Sequence, residues 1–217
     1  MNFDLPFAWH FETTMIAGRP FELAVATDPD AMLIDACERQ DAGEQGVIDP
    51  FWATTWRAAA GLDTFLNRIA IDGVRVLEVG CGTGHAGIAA HLRGGEVTIT
   101  DGVDDPLELV RRSIKPLERK PAVARLRFGE DVLEAGAFEV LLGSDVTYLR
   151  ELWPVLLETA EHHSAPGGVM YLSDPHRTIA DEFRMWVAGE SWSYREHRVE
   201  LADDPRHPIR VMELRRR

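Results

Sequence analysis

The stretch VRVLEVGCGTGHAG, residues 74–87, decides the fold. Val74 to Val79 are mostly apolar and have the composition of a buried strand. They run straight into a loop with glycine at Gly80, Gly82, Gly84 and Gly87. A glycine-dense turn between a strand and a helix lets a ligand approach the backbone closely, with helix N–H groups aimed at it. Two readings of these glycines compete. In the first, Gly82, Gly84 and Gly87 form G-x-G-x-x-G, a dinucleotide fingerprint, with Asp101 as the ribose-binding acid about 20 residues further on. That reading carries the strand through Gly80 and Cys81, which is poor strand composition. In the second, Glu78, Gly80, Gly82 and Gly84 form E-x-G-x-G-x-G, and the strand ends naturally at Val79.

Outward from this stretch, strand and helix patterns alternate. HAGIAAHLR reads as a helix, EVTIT as a strand, DPLELVRRSI as a helix and AVARLRF as a strand. FEVLLG is the next strand, followed by a helix with Leu149, Leu152, Trp153, Leu156, Leu157 and Ala160 on one face. GGVMYLS and IADEFRMWVAG give a further strand and helix. WSYREHRVEL and PIRVMELRR then follow each other without a helix between them, which predicts an antiparallel hairpin at the sheet edge. Upstream, two β-like runs flank AGR, predicting a hairpin from Phe11 to Thr27, and Asp28 or Asp30 caps a helix through AMLIDACERQ. FWATTWRAAAGLDTFLNRIA places Trp56, Ala59, Leu62, Phe65, Leu66 and Ile69 at helical spacing. The fold class is therefore α/β: a Rossmann-like, seven-stranded, mainly parallel sheet with an antiparallel C-terminal hairpin and helices on both faces. Residues 1–50 form an N-terminal hairpin and helix extension, and 51–217 the main domain. A dinucleotide-dependent oxidoreductase fits this less well, because the chain after residue 150 holds no substrate domain.

Composition narrows the partners. The chain has 217 residues, of which 45% are hydrophobic and 27% charged, and a formal net charge of -13. An acidic balance with no basic stripe disfavours a nucleic-acid substrate. The terminal Arg-Arg-Arg reads as a solvated tail. Cys37 and Cys81 stand in no C-x-x-C pair, so neither a disulfide framework nor a metal site is expected. His162 and His163 are adjacent on a predicted helix, point to different sides and read as surface residues. No leader pattern or membrane-length apolar run is present in the sequence, so a cytoplasmic location is expected.

VLEVGCGTG resembles motif I of the class I, seven-β-strand S-adenosylmethionine-dependent methyltransferases, and the resemblance extends over nearly the whole chain. It implies S-adenosyl-L-methionine as cofactor and S-adenosyl-L-homocysteine as product. Gly80, Gly82 and Gly84 would then lie against the methionine part, with Glu78 nearby. Asp101 would take both ribose hydroxyls, which suits a carboxylate because it accepts two donors. Asp131 would accept from the adenine amino group with Val132 beside the ring, and Glu130 is the neighbouring alternative.

Three further stretches resemble the protein-lysine methyltransferases related to the enzyme that modifies the electron transfer flavoprotein β subunit. These are PFWATTW at 50–56, LLGSDVTY at 141–148 and LSDPHR at 172–177. The first implies that Trp56, with Trp52, lies against the cofactor. The second implies Asp145 and Tyr148 as catalytic residues, with Ser144 beside the cofactor. His176 and Arg177 read either as a holder of a substrate carboxylate or as a solvated loop. His85 reads as a packing or capping residue. The branch often carries Pro-Gly-Gly after its second tryptophan, whereas RAAAG follows Trp56 here, which leaves the substrate open. The expected acceptor is a protein lysine. A small amine, taken by a nicotinamide-methyltransferase-like enzyme with its pocket closed over by the N-terminal hairpin and helix, is the alternative, and a non-catalytic binding module the third.

Overall fold

The computed structural model describes residues 4–134 and 136–217. The chain begins with strands β1 (Trp9–Ile16) and β2 (Arg19–Ala26), helix α1 (Pro29–Asp41), a one-turn 3-10 helix at Phe51–Ala53 and helix α2 (Arg57–Leu66). Strand β3 (Arg75–Glu78), helix α3 (His85–Leu92), strand β4 (Glu96–Asp101), helix α4 (Asp104–Ser113) and strand β5 (Ala122–Arg125) follow. The remainder is β6 (Phe138–Ser144), α5 (Trp153–His163), β7 (Ser164–Asp174), α6 (Thr178–Val187), β8 (Trp192–Leu201) and β9 (Asp204–Arg216).

β3 to β9 make one seven-stranded sheet in the order β5-β4-β3-β6-β7-β9-β8. The pairs β3–β4, β3–β6, β4–β5 and β6–β7 are parallel, and β7–β9 and β8–β9 antiparallel. The strand period of two sorts side chains onto opposite faces. Val76, Leu142, Tyr171 and Val211 pack with residues of α2, α3 and α4, whereas Leu77, Leu141, Leu172 and Met212 pack with α5 and α6. Truncating a fully buried member such as Leu77 to alanine costs about 2–5 kcal/mol. β1 and β2 form a separate hairpin whose Ile16, Leu23 and Val25 join the α2–α4 side of the core. Asp28 caps α1, accepting from Ala31 N–H at 2.9 Å.

The structure departs from the sequence expectations in three places. The helix predicted from Phe51 is broken: Trp56 has φ -84° and ψ 138°, and α2 starts only at Arg57. The Trp56 indole N–H donates to the Phe51 carbonyl at 2.8 Å, holding the turn that interrupts the helical period. His163 is not a surface residue. It is 2% exposed, its Nδ1 lies 2.7 Å from the Thr159 carbonyl oxygen, and its Nε2 accepts from Leu133 N–H at 3.1 Å. Of the terminal arginines, Arg215 and Arg216 belong to β9 rather than to a tail.

Candidate active site

Ligands of open parallel sheets bind beyond the carboxyl ends of the strands, and there a cavity of about 370 Å3 opens. Its floor is the loop after β3. Gly80, Gly82 and Gly84 all have positive φ, at 61°, 50° and 76°, a conformation that side-chain-bearing residues rarely adopt. Space is short as well: a Cβ on Gly80 would stand 2.8 Å from a Val146 methyl, and one on Gly82 3.3 Å from the Trp52 carbonyl oxygen. The strand has ended before Gly80, as the E-x-G-x-G-x-G reading requires.

Of the residues singled out for the site in the sequence, Trp52, Trp56, Gly80, Gly82, Asp101, Glu130, Ser144, Asp145 and Tyr148 border this cavity. Asp101 closes β4 and shapes the loop, its Oδ2 accepting from Gly82 N–H at 3.0 Å and its Oδ1 from Val103 N–H at 3.1 Å. Burial raises its pKa, against the pull of those backbone donors. Ser144 Oγ is buried with no hydrogen-bond partner among the described residues, so a polar ligand in the cavity could satisfy it. Tyr148 stands edge-on to Phe51, with ring centroids 5.7 Å apart. Burial, followed by the charges of Asp101, Asp145 and Asp49, raises its pKa, so its hydroxyl stays protonated at neutral pH.

Asp145 follows β6 in the left-handed region, with φ 55°. Its side chain is 3% exposed, and Arg177 grips both carboxylate oxygens, Nε to Oδ1 at 2.8 Å and Nη2 to Oδ2 at 2.6 Å. The guanidinium lies 5.1 Å from the centroid of the Trp56 ring, within cation–π range. Arg177 N–H also donates to Asp174 Oδ1 at 3.1 Å. Asp174 in turn is fully buried and paired at 2.9 Å with Arg210 of β9. Arg177 is therefore committed to Asp145 rather than lying free in a loop. It joins β6, the β7–α6 loop and the start of α2.

Four expected cofactor residues lie off the cavity. Glu78 is 1% exposed behind the loop, against the backbone N–H groups of Gly87 and Ala86 at the start of α3, and burial pushes its pKa up to about 8. Gly84 caps α3 and packs on Val110. Asp131 turns back to accept from Arg127 N–H at 2.8 Å, and Val132 is 61% exposed. Phe128 and Glu130 border the cavity in their place. Trp52, Phe51 and Asp49 also line it, brought there by the broken helix. The sequence carried a signal for the two aromatic residues, the PFWATTW motif, but none for Phe128. His85 packs as expected, with Nε2 3.2 Å from Asp63 Oδ2.

Comparison with known proteins agrees with this geometry. The family model described as lysine methyltransferase matches residues 41–186. Protein N-lysine methyltransferase METTL21A of Danio rerio is 40% identical over 139 residues, covering 60% of this chain and 63% of that protein. The electron transfer flavoprotein beta subunit lysine methyltransferase of Xenopus laevis is 31% identical over 136 residues, covering 59% of this chain and 54% of that protein. The match thus spans less than two thirds of either relative's length. Among solved structures, the glycopeptide N-methyltransferase MtfA complexed with (S)-adenosyl-L-methionine superposes with a TM-score of 0.62 at 14% identity, covering 74% of this chain and 94% of that one. At that identity the likeness concerns the fold alone. With the family model spanning most of the chain and the glycine loop, Asp101 and Asp145 placed around one cavity, the chain belongs to the lysine methyltransferase family.

Proposed function

We propose that this chain is an S-adenosylmethionine-dependent N-methyltransferase acting on a lysine of a protein substrate. The observation that carries the reading is the mouth of the cavity. Ile48, Tyr148 and Leu149 line it and are 50%, 36% and 37% exposed, an apolar rim open to a macromolecule. A small-amine enzyme was expected to close its pocket with the N-terminal hairpin and helix, yet no residue of β1, β2 or α1 borders the cavity. Ala24 N–H of β2 instead donates to Ser113 Oγ of α4 at 2.8 Å.

The residues fit the cofactor. Gly80 and Gly82 would admit it to the backbone, Asp101 presents a carboxylate suited to a vicinal diol, and Ser144 Oγ, without a partner among the described residues, borders the same cavity. S-adenosylmethionine supplies an electrophilic methyl group that passes to the lone pair of the acceptor amine, leaving the sulfur as a neutral thioether. The chain's own work is alignment and exclusion of water. Trp56 and Tyr148 wall the cavity, and the amine must reach it unprotonated, its proton going to solvent at the open mouth. Asp145 and Tyr148 face that acceptor space. The lysine-presenting partner engages the apolar rim.

The test is transfer of radiolabelled methyl from S-adenosylmethionine into a lysate of the source cells, with Asp145→Ala as control. Label in a discrete protein band, lost in the variant and mapped to lysine by mass spectrometry, supports the reading. Label confined to small molecules overturns it.

A further inference from the structure

The fork between Arg177 and Asp145 has a chemical consequence at the acceptor side of the cavity, given the proposed function on which this inference rests. A buried, unpaired carboxylate holds an alkylammonium in its protonated form, and a protonated amine has no lone pair to offer. Asp145 is not unpaired. Both of its oxygens are taken by a bidentate guanidinium, the geometry that neutralises a carboxylate most completely. Arg177 is itself held from three sides: by the fork, by the face of Trp56, and through its own N–H on Asp174. The arrangement is a built wall rather than a side chain resting across an opening.

We propose that Arg177 is a positioning residue that cancels the charge of Asp145, so that the site takes its acceptor as a neutral amine and disfavours the ammonium. Asp145 then shapes the acceptor space and anchors Arg177 without acting as a counter-ion for the lysine. The other acids near this corner, Asp101 and Asp49 around Tyr148 and Asp174 below Arg177, are common to every variant compared below.

The test needs no acceptor. Sinefungin is an S-adenosylhomocysteine analogue in which a carbon bearing a primary amine replaces the sulfur, so it puts an ammonium where the methyl group is transferred. Calorimetric dissociation constants for the two ligands, measured on the intact protein, give a ratio that reports the charge of this corner. In Arg177→Met the expected result is sinefungin tightened by about tenfold relative to S-adenosylhomocysteine, because a low-dielectric carboxylate has been exposed to its amine. Arg177→Lys, which keeps the charge, should stay near the wild-type ratio. The double variant Asp145→Asn, Arg177→Met should return to it. If Arg177→Met does not fold, Arg177→Gln supplies the same comparison with a hydrogen-bonding partner for Asp145. A parallel change in both ligands, with the ratio unmoved, shows that Arg177 is only a structural clip and overturns the proposal. Failure of the wild type to bind either ligand overturns the cofactor assignment itself, which is a separate result.

Discussion

A carboxyl group sealed behind a glycine loop responds to pH in the opposite sense to a surface one. Glu78 keeps its proton up to about pH 8 in the folded chain, against an ordinary value of 4.5. The unfolded chain releases that proton first, so the folded state binds more protons between those values. Its contribution to stability is intact below the unfolded value and is lost as pH rises through the folded one. Glu78→Gln cannot titrate, so its urea-unfolding stability should fall less steeply than wild type between about pH 5 and 8, by a difference of a few kcal/mol. Equal slopes would show that Glu78 is ionised in the folded protein. At this scale the sequence was legible where one residue acts with its own loop, as Gly80 and Gly82 do. It was not legible where the partner is distant: nothing local at Asp145 announces a guanidinium arriving from the β7–α6 loop. Asp131 and Glu130 could not be separated for a different reason. The choice depends on a turn in which the Arg127 N–H captures one of them, and adjacent acids are equal candidates until that turn exists.

Among the elements, the segment between the 3-10 turn and α2 matters most for the site. Its apolar spacing continues the helical period of α2, so periodicity alone extends the helix back to Phe51. What breaks it is a tertiary preference: the extended Trp56 lies under Arg177 and returns its indole N–H to Phe51. The central strands, by contrast, were readable because β3, β6 and β7 carry apolar runs bounded by turns or helices, and the absence of a helix between the last two announced their antiparallel pairing. Trp56→Phe keeps an aromatic face for Arg177 but leaves the Phe51 carbonyl without its donor. We expect a stability loss of about 1 kcal/mol and several-fold weaker S-adenosylhomocysteine binding by calorimetry, since the turn that carries Trp52 over Gly82 is loosened. Unchanged affinity would mean that the turn is held by packing alone.

Across the whole molecule, the cavity and the N-terminal hairpin are separate concerns. The hairpin is anchored on the α4 side through Ser113, 2% exposed, whose hydroxyl accepts from Ala24 N–H. Ser113→Ala leaves that buried N–H unsatisfied and should cost about 1–3 kcal/mol, seen as a lower Tm and faster amide exchange in β1 and β2. S-adenosylhomocysteine affinity should stay within about twofold, because the hairpin contributes nothing to the cavity lining. A large loss of affinity would instead make the hairpin part of the site.

The sheet order has one more result, which concerns time rather than space. β9 is made after β8, yet it lies between β7 and β8, and among the described residues β8 pairs only with β9. Until β9 slots in, β8 has no neighbour in the sheet and the buried Asp174 lacks Arg210, the cation that compensates it. Asp174 is also the residue that receives the Arg177 N–H. A chain still short of residues 204–216 therefore holds the glycine loop, Asp101, Asp145 and Arg177 but lacks the cation that compensates the Asp174 beneath them. The ion pair beneath the site is thus completed by a strand that follows all of the site's own residues in the chain.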